Sequence, residues 1–254
     1  MRLKNKVAII TGASRSIGKA VALRYAQEGA KVVVNYRSHS ELAEQVVAQI
    51  VKGGGQAFAF GADVSNELEV QEMVKQTVER FGTVDILVNN AAVDPRQVWY
   101  EISVEDWDHV MSTNVRSQFI CAKTVFPYMR QQNYGKIVNV SSVSFWTGQK
   151  DYVHYVASKG AIIGFTRALA REVGSNNITV NCITPGAVMT ETEIEKVGSV
   201  VAQEKASTML LDIQAIPRRQ VTADIEGVFV FFASTDSDFI TGQTLNADGG
   251  WMMH

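Results

Sequence analysis

The sequence predicts an α/β fold: a single domain over residues 1–254, built on one doubly wound parallel sheet with helices on both faces. Short β-branched runs alternate along the chain with long segments of helical pattern. Several of the short runs are apolar at nearly every position, which is typical of parallel strands buried on both faces. No linker, repeat or shift in composition divides the chain, and single α/β domains commonly reach this length.

The individual segments follow one another in strict alternation. Three strands, each with a helix after it, are expected first: strands at 7–10, 31–34 and 57–60, and helices at 17–28, 41–51 and 67–81. Further strands are expected at 85–88, 135–140 and 178–182. Such alternation predicts parallel strands joined by crossover helices.

Two later segments of helical pattern bear on assembly and on the site. Residues 152–173 are apolar nearly all round, so we expect this helix to pack on the sheet and also on a second subunit. A core helix in a monomer is the alternative. Residues 191–219 are helical in pattern between strand-like segments, and we interpret about 190–219 as a substrate lid.

Composition excludes several classes of function. The chain has 24 Lys plus Arg against 26 Asp plus Glu without a basic run, so no nucleic-acid or membrane partner is expected. No apolar run approaches the roughly 18 residues of a membrane span, and the N-terminus lacks a secretory core. Cys121 and Cys182 form no disulfide or metal pattern and are expected to be buried. We therefore expect a cytoplasmic protein that acts on small molecules.

The first expected strand leads into a turn of small residues, 11–18, that opens a helix. Backbone N–H groups and the positive helix end at such a turn can bind a pyrophosphate. Gly12 permits the tight turn, and Gly18 lets the helix pack closely on the strand, as in Rossmann-like dinucleotide sites. The residues expected to hold the cofactor here are Gly12, Ser14, Arg15, Ser16, Ile17 and Gly18. An ordinary turn is the alternative, because the spacing is not GxGxxG.

The end of the second strand bears on the choice of cofactor. Tyr36, Arg37 and Ser38 stand where an acidic residue would bind the ribose hydroxyls of NAD. Arg37, together with Arg15, could instead clamp a 2′-phosphate, which favours NADP(H). NAD(H) remains possible, because Arg37 could merely solvate a loop and Tyr36 is neutral.

Polar residues also follow the third and fourth strands, at the edge where open α/β sheets bind ligands. Asp63 and Val64 come after the third strand, and Asn90, Ala91 and Ala92 come after the fourth. Asp63 could accept a hydrogen bond from an adenine amino group, and Asn90 could brace the turn or face the cofactor. Asp and Asn also favour turns without any such role.

The strongest constellation is Ser142, Tyr155 and Lys159. Ser142 follows an apolar strand, and Tyr155 and Lys159 are one helical turn apart on one face. Lowering a phenol pKa of about 10 by about three units needs about 4 kcal/mol, which one positive charge about 4 Å away supplies at an effective dielectric near 20. Tyr155 could then donate a proton, while Ser142 binds the oxygen of a carbonyl that receives a hydride. An exposed helical face is the alternative for a Tyr and Lys at this spacing alone.

These motifs, with Asn114 and the turn at Pro185 and Gly186, together resemble the short-chain dehydrogenase/reductase family over essentially the whole chain. The resemblance implies that Tyr155 is the acid/base, that Lys159 binds the nicotinamide ribose and lowers the Tyr155 pKa, and that Ser142 orients the carbonyl. It implies that Asn114 holds a water in a proton relay. It further implies nicotinamide contacts from Pro185, Gly186, Val188 and Thr190, and a homotetramer closed by residues 243–250.

Two positions depart from the family pattern. Ser16 replaces the usual middle glycine of the first motif, and Ala92 replaces the glycine that commonly follows Asn-Asn-Ala. The Ser16 hydroxyl can still donate to a phosphate, so we expect binding to survive. Neither position belongs to the catalytic set.

The expected substrate pocket is apolar and aromatic, with the lining residues Asp94, Ser144, Phe145, Trp146, Tyr152, Ala187 and Met189. This favours a ketone or secondary alcohol that carries a ring or hydrophobic chain, unless Phe145 and Trp146 belong to a subunit contact. A 3-oxoacyl thioester of acyl carrier protein or CoA is the alternative, which the lack of an evident basic docking surface disfavours. A cofactor-sensing module and an interaction scaffold are alternatives of another class.

Overall fold

The computed structural model describes residues 1–253, and for residues 196, 197 and 200–206 it describes the backbone alone. Within this part of the chain the strands form one seven-stranded sheet in the order β3-β2-β1-β4-β5-β6-β7. Every neighbouring pair is parallel. The strands are β1 Val7–Ile10, β2 Lys31–Tyr36, β3 Gln56–Gly61, β4 Ile86–Asn89, β5 Gly135–Val140, β6 Ile178–Pro185 and β7 Thr244–Ala247.

Helices cover both faces of this sheet. In chain order they are α1 Ser16–Gln27, α2 Ser40–Lys52, α3 Glu67–Phe81, α4 Val104–Met111, α5 Ser117–Gln131, α6 Ser144–Thr147, α7 Val153–Val173, α8 Glu191–Val197, α9 Val200–Ile213 and α10 Ala223–Ala233. One apolar core lies between the sheet and helices α1, α2 and α10, and a second lies between the sheet and helices α3, α5 and α7. The predicted doubly wound parallel sheet is confirmed.

The predicted and observed elements differ mainly near chain reversals. Strands 7–10 and 135–140 and helix 67–81 have the predicted bounds, whereas β6 runs on to Pro185. Strand β7 was not predicted, because it is a four-residue edge strand of mixed polarity. On helix α7, Val153, Gly164 and Ala168 are exposed in the single chain, and the packing of α7 on a second subunit stays a prediction.

The strand order reverses between β1 and β4, and this reversal positions the site. A crevice forms beyond the carboxyl ends of two parallel strands where their connections leave in opposite directions. The turn of residues 11–18 follows β1, and Asn90 follows β4 at the same edge. Ser142 comes shortly after β5, the next strand along.

The structure also bears on disulfides, membrane-spanning helices and metal-ligating clusters. Both cysteines are unpaired and buried. Across residues 1–253, helices that combine the length and apolarity needed to cross a membrane are not found. The same part of the chain holds no cluster of His, Cys, Asp and Glu side chains that could ligate a metal ion.

Candidate active site

The turn after β1 forms a close-fitting backbone cradle. Gly12 has a φ of +62°, and a Cβ added there would lie 3.0 Å from the Cα of Ala91. A Cβ at Gly18 would lie only 2.3 Å from the carbonyl oxygen of Gly12, so only glycine allows α1 to approach the turn this closely. Ser16 has a φ of 54° and therefore adopts a left-handed conformation that costs a non-glycine residue energy.

Neighbouring strand ends brace this turn. The Asn35 side chain accepts a hydrogen bond from the Gly12 N–H at 3.2 Å, and the Asn90 amide donates to the carbonyl oxygens of Thr11 at 2.9 Å and Gly12 at 3.1 Å. Asn90 therefore braces the turn, one of its two expected roles. Asn35 was not among the predicted site residues, although a buried asparagine in an otherwise apolar strand is a signal for such a brace.

The loop after β2 presents Arg37 to solvent, at the end of the crevice where the adenosine was expected. Its side chain is 53% exposed, and its Nη1 lies 4.0 Å from an oxygen of Asp63. An exposed ion pair at this distance contributes little, so Arg37 is available to a phosphate. Asp63 itself accepts hydrogen bonds from the backbone and hydroxyl of Ser65. Of the other residues expected here, Tyr36 packs on Gly61, Ser38 is exposed, and Val64 is buried.

The first helix of the expected lid, α8, lies against the glycine-containing turn. The hydroxyls of Ser16 and Thr192 are 2.8 Å apart, and Arg15 Nη1 lies 3.5 Å from a carboxylate oxygen of Glu195. Thr190 caps α8 by accepting from the Glu193 N–H at 3.2 Å. The lid interpretation at 190–219 stays a prediction, and the side chains of 196, 197 and 200–206 fall outside the described residues.

The residues predicted to act on the carbonyl meet beside this crevice. Tyr155 and Lys159 lie one turn apart on α7, and the Lys159 Nζ is 5.3 Å from the centre of the Tyr155 ring. Lys159 is only 2% exposed, and its Nζ donates to the carbonyl oxygen of Val140 at 3.1 Å. The Ser142 side chain lies close enough to Tyr155 to lower the Tyr155 pKa.

Ser144 sets the orientation of the Ser142 hydroxyl. The N–H and hydroxyl of Ser144 both donate to the Ser142 Oγ, at 3.1 and 2.9 Å. Because the Ser142 oxygen accepts these two bonds, its hydrogen remains to be donated into the crevice. Ser144 is buried, so it positions Ser142 instead of forming an open pocket wall.

The expected lowering of the Tyr155 pKa by Lys159 does not dominate, because the pKa of Tyr155 is raised overall. Burial raises the pKa of Tyr155, the negative charge of Asp94 raises it further, and the nearby Ser142 side chain opposes this. Burial also lowers the pKa of Lys159 to about 8. Both shifts arise because a buried site disfavours the charged form of each group. Tyr155 is therefore protonated at neutral pH, which suits a proton donor.

The side chain of Asn114 is fully engaged in hydrogen bonds. It lies in a wide helical turn, Ser112–Arg116, accepts from the Val93 N–H at 2.8 Å, and donates to the Val93 carbonyl at 2.8 Å and the Ser158 hydroxyl at 3.0 Å. The side chain thus fixes the strand-end loop to α7. The proton-relay role remains a prediction that these contacts do not test.

The substrate side of the crevice contains a residue that the sequence analysis missed. Arg96 Nε donates to the Tyr152 hydroxyl at 2.7 Å, and the ring centres of Tyr152 and Tyr155 are 5.3 Å apart. Asp94 acts electrostatically on Tyr155 and Lys159. A sequence signal for Arg96 existed only in its position shortly after Asn90, within a loop that carries Asp94.

The remaining expected lining residues divide between core and surface. Phe145 and Trp146 pack against Ile162, Ile163 and Cys182, and a Cβ on Gly160 would meet the Phe145 ring at 2.7 Å. Ala187 and Met189 follow β6, where Gly186 donates to Ala247 and Val188 is buried; Met189 is partly exposed. The aromatic pair therefore fills space against α7, which weakens the argument for an aromatic substrate.

Comparison with known proteins identifies the family. A family model described as enoyl-(acyl carrier protein) reductase matches residues 12–252 of the chain. Two relatives named 3-oxoacyl-[acyl-carrier-protein] reductase match nearly the whole chain. The chain belongs to the short-chain dehydrogenase/reductase family. It is an oxidoreductase of that family.

The individual matches to this family extend from end to end. The relative from Synechocystis is 37% identical over 99% of this chain and 98% of its own length. The relative from Staphylococcus epidermidis is 38% identical over 98% of this chain and 100% of its own length. A crystal structure described as a short-chain alcohol dehydrogenase from Sinorhizobium meliloti superposes with a TM-score of 0.91 at 35% identity, over 98% of this chain and 97% of that one.

Short-chain dehydrogenases/reductases use NAD(H) or NADP(H), and the geometry of this chain fits such a dinucleotide. The turn at Gly12 exposes backbone to a crevice at the strand-order reversal, and α1 begins at its far end. Backbone N–H groups and a helix N-terminus suit a pyrophosphate. Ser16 keeps a hydroxyl donor where the family commonly has glycine.

The shifted pKa values predict opposite pH profiles for the two directions of the reaction. Lys159, with a pKa of about 8, is charged below that pH and can stabilise the negative charge that develops when Tyr155 gives up its proton. We expect kcat/KM for reduction to fall as pH rises through about 8. Oxidation needs the Tyr155–Lys159 pair to have lost one proton, so its rate should rise as pH approaches about 8. Steady-state assays in both directions measure this, and parallel profiles would contradict the assignment.

Proposed function

We propose that this short-chain dehydrogenase/reductase reduces the 3-oxo group of an acyl thioester to a hydroxyl, using NADP(H). The observation that carries the proposal is the meeting of Ser142, Tyr155 and Lys159 beside the cradle at Gly12. The substrate class is supported by the relatives named 3-oxoacyl-[acyl-carrier-protein] reductase at 37% and 38% identity. Reduction of a simple ketone that carries a hydrophobic group is the second candidate.

The side chains divide the reaction between them. Ser142 has a hydrogen to donate, so it binds the substrate carbonyl oxygen and orients it toward Tyr155. When bound, the reduced dinucleotide would supply the hydride for the carbonyl carbon. Tyr155 gives its proton to the oxygen, and the charge on Lys159 stabilises the phenolate that remains. These roles need no metal-ligating side chains.

A substrate panel tests the proposal. The protein is assayed with NADPH against a 3-oxoacyl-CoA, a cyclic ketone with one carbonyl, and an aldose sugar. We expect the highest kcat/KM for the thioester, because relatives at 37% and 38% identity are named 3-oxoacyl-[acyl-carrier-protein] reductase. Preference for the cyclic ketone would favour the second candidate. Tight NADPH binding without turnover of any substrate would instead indicate a cofactor sensor.

The preference for NADP(H) over NAD(H) depends on Arg37. Changing Arg37 to Asp removes a charge-assisted bond to the 2′-phosphate and adds repulsion. We expect the NADP(H)-to-NAD(H) ratio of kcat/KM to fall by about tenfold to a hundredfold, since hydrogen bonds to charged groups contribute about 1.5–3 kcal/mol. Arg130→Asp, at the exposed end of α5, is the matched control. An unchanged ratio in Arg37→Asp would show that Arg37 does not recognise the phosphate.

We also propose that the protein assembles as a homotetramer. Large apolar side chains are exposed around α4, α5 and α7, including Trp99, Tyr100, Phe119 and Val153. Isolated chains rarely expose so much apolar surface without covering it. Sedimentation analysis should give the mass of four chains, and Phe119→Glu should shift the mass toward smaller species. A monomeric wild-type protein would contradict the proposal.

A further inference from the structure

Arg96 is held in a fixed place beside the candidate substrate. On one side of it in the chain, both backbone groups of Val93 are bonded to the Asn114 side chain at 2.8 Å. On the other side, the Gln97 N–H donates to the Asp151 carbonyl oxygen at 2.9 Å. The loop that carries Arg96 is therefore tied to the helical turn around Asn114 and to the residues just before α7. A side chain on such a loop can be positioned precisely.

In the hydrogen bond between Arg96 and Tyr152, Arg96 is the donor. Arg96 has only donors, and its Nε lies 2.7 Å from the Tyr152 hydroxyl oxygen, so that oxygen is the acceptor. The guanidinium carbon also lies 5.2 Å from the centre of the Tyr152 ring. The hydroxyl hydrogen of Tyr152 is left to be donated elsewhere. The cation at its oxygen makes the hydroxyl a stronger donor, as in other charge-assisted bonds.

Tyr152 stands next to the proton donor of the proposed reaction. It is only 6% exposed, and its ring centre is 5.3 Å from that of Tyr155. A substrate whose reacting carbonyl lies at Tyr155 and Ser142 therefore places its adjoining atoms near Tyr152. Two phenol donors side by side match a substrate with two carbonyl oxygens better than a substrate with one.

The charges around Arg96 determine which kind of second acceptor group the substrate can carry. Asp94 and Glu193 both act electrostatically on Arg96, and Asp94 also acts on Tyr155 and Lys159. Two carboxylates beside one guanidinium leave little net attraction for another negative charge. A free carboxylate on the substrate would be repelled, whereas an uncharged acyl carbonyl would still accept a hydrogen bond.

We propose that Tyr152, polarised by Arg96, donates a hydrogen bond to the uncharged acyl carbonyl of the substrate and so selects 3-oxoacyl thioesters. Tyr152 contacts the substrate, and Arg96 is a positioning residue that acts through it. The inference rests on the proposed function, because it explains how that site would distinguish a thioester from a simple ketone and from a free 3-oxo acid.

The test compares two substrates across matched variants. Tyr152→Phe should lower kcat/KM for a 3-oxoacyl-CoA at least about tenfold more than for a cyclic ketone with one carbonyl, because only the thioester has the second acceptor. Arg96→Met should move the same ratio in the same direction, and Arg96→Lys should restore part of it. The double variant should shift the ratio no further than Tyr152→Phe alone. Wild-type protein should prefer the thioester to the free 3-oxo acid.

Controls separate a recognition role from a structural one. Tyr128→Phe and Arg130→Met make the same chemical changes on α5 and should not move the ratio. Should Tyr152→Phe fail to fold, the Arg96→Met and Arg96→Lys pair still decides the question. Equal losses on both substrates would overturn the inference while leaving the proposed function in place. A preference of wild-type protein for the free acid over the thioester would overturn both. If wild-type protein reduces the cyclic ketone but not the thioester, the proposed function fails and the inference fails with it.

Discussion

Tyr155→Phe is expected to lower kcat/KM for carbonyl reduction by about 10²- to 10⁴-fold, the range that general acid catalysis contributes. Only a hydroxyl is removed, so the ring can keep its place beside Tyr152. Burial raises the pKa of Tyr155, so at neutral pH the wild-type hydroxyl carries the proton that the variant lacks. The loss should therefore appear at every pH at which the wild-type protein reduces its substrate.

The control for this variant is binding without turnover. A protein that has lost only its proton donor should still bind NADPH, so the cofactor should raise the melting temperature of Tyr155→Phe and wild type alike. Tyr128→Phe removes a hydroxyl elsewhere and should keep wild-type activity. Wild-type reduction rates in Tyr155→Phe would rule out the assigned role.

Lys159→Met is expected to produce the second large effect. Methionine has a similar length without the charge, so the variant should lose the stabilisation of the developing phenolate and any bond to the nicotinamide ribose. We expect kcat/KM to fall by about a hundredfold or more, as when one electrostatic contact to a transition state is removed. The fall in reduction rate near pH 8 should also disappear, since it reports the Lys159 pKa of about 8.

The pH profile distinguishes this role from a packing role. Lys159 is nearly fully buried, and removing a buried cation does not by itself destabilise a protein when an apolar side chain fills its place. The variant should fold with a melting temperature close to that of wild type. A variant that retains the decline near pH 8 would show that another group causes it.

Much of the fold follows from local pattern. Buried parallel strands such as Gly135–Val140 are largely apolar, and the helix Glu67–Phe81 has an Asn66 cap and is followed by Gly82, so both can be placed from sequence. Strand β7 cannot be placed from sequence, because four residues at a sheet edge are too few to show an alternation of apolar and polar positions. Its pairing with β6 is decided by tertiary contacts.

Those parts of the site that lie on a single helix could be predicted from the spacing of their residues along the sequence. Tyr155 and Lys159 share a helix face, so their proximity follows from helical geometry. Arg96 and Asn35 act across elements that lie far apart in sequence, and nothing local to either residue predicts its partner. Phe145 was expected in the pocket because it closely follows Ser142, but its ring packs against Gly160 on α7, where no side chain stands in the way.

The direction of the Tyr155 pKa shift could not be predicted from the Tyr and Lys pair alone. A Coulomb estimate from that pair includes the attraction of a charged lysine but omits the cost of burying either charge. In the folded chain Lys159 is buried and Tyr155 is largely removed from water, and the lowered Lys159 pKa reduces the positive charge available to Tyr155 near pH 8. Burial of this kind depends on the whole fold.

The most direct test of the central claim follows one atom through the reaction. Wild-type protein is given a 3-oxoacyl-CoA and NADPH that carries deuterium at the transferable position, and the product is examined by mass spectrometry. Our account predicts a 3-hydroxyacyl-CoA with one deuterium on the carbon that bears the hydroxyl, formed at a greatly reduced rate by Tyr155→Phe. A product without deuterium at that carbon, or equal rates from both proteins, would contradict it.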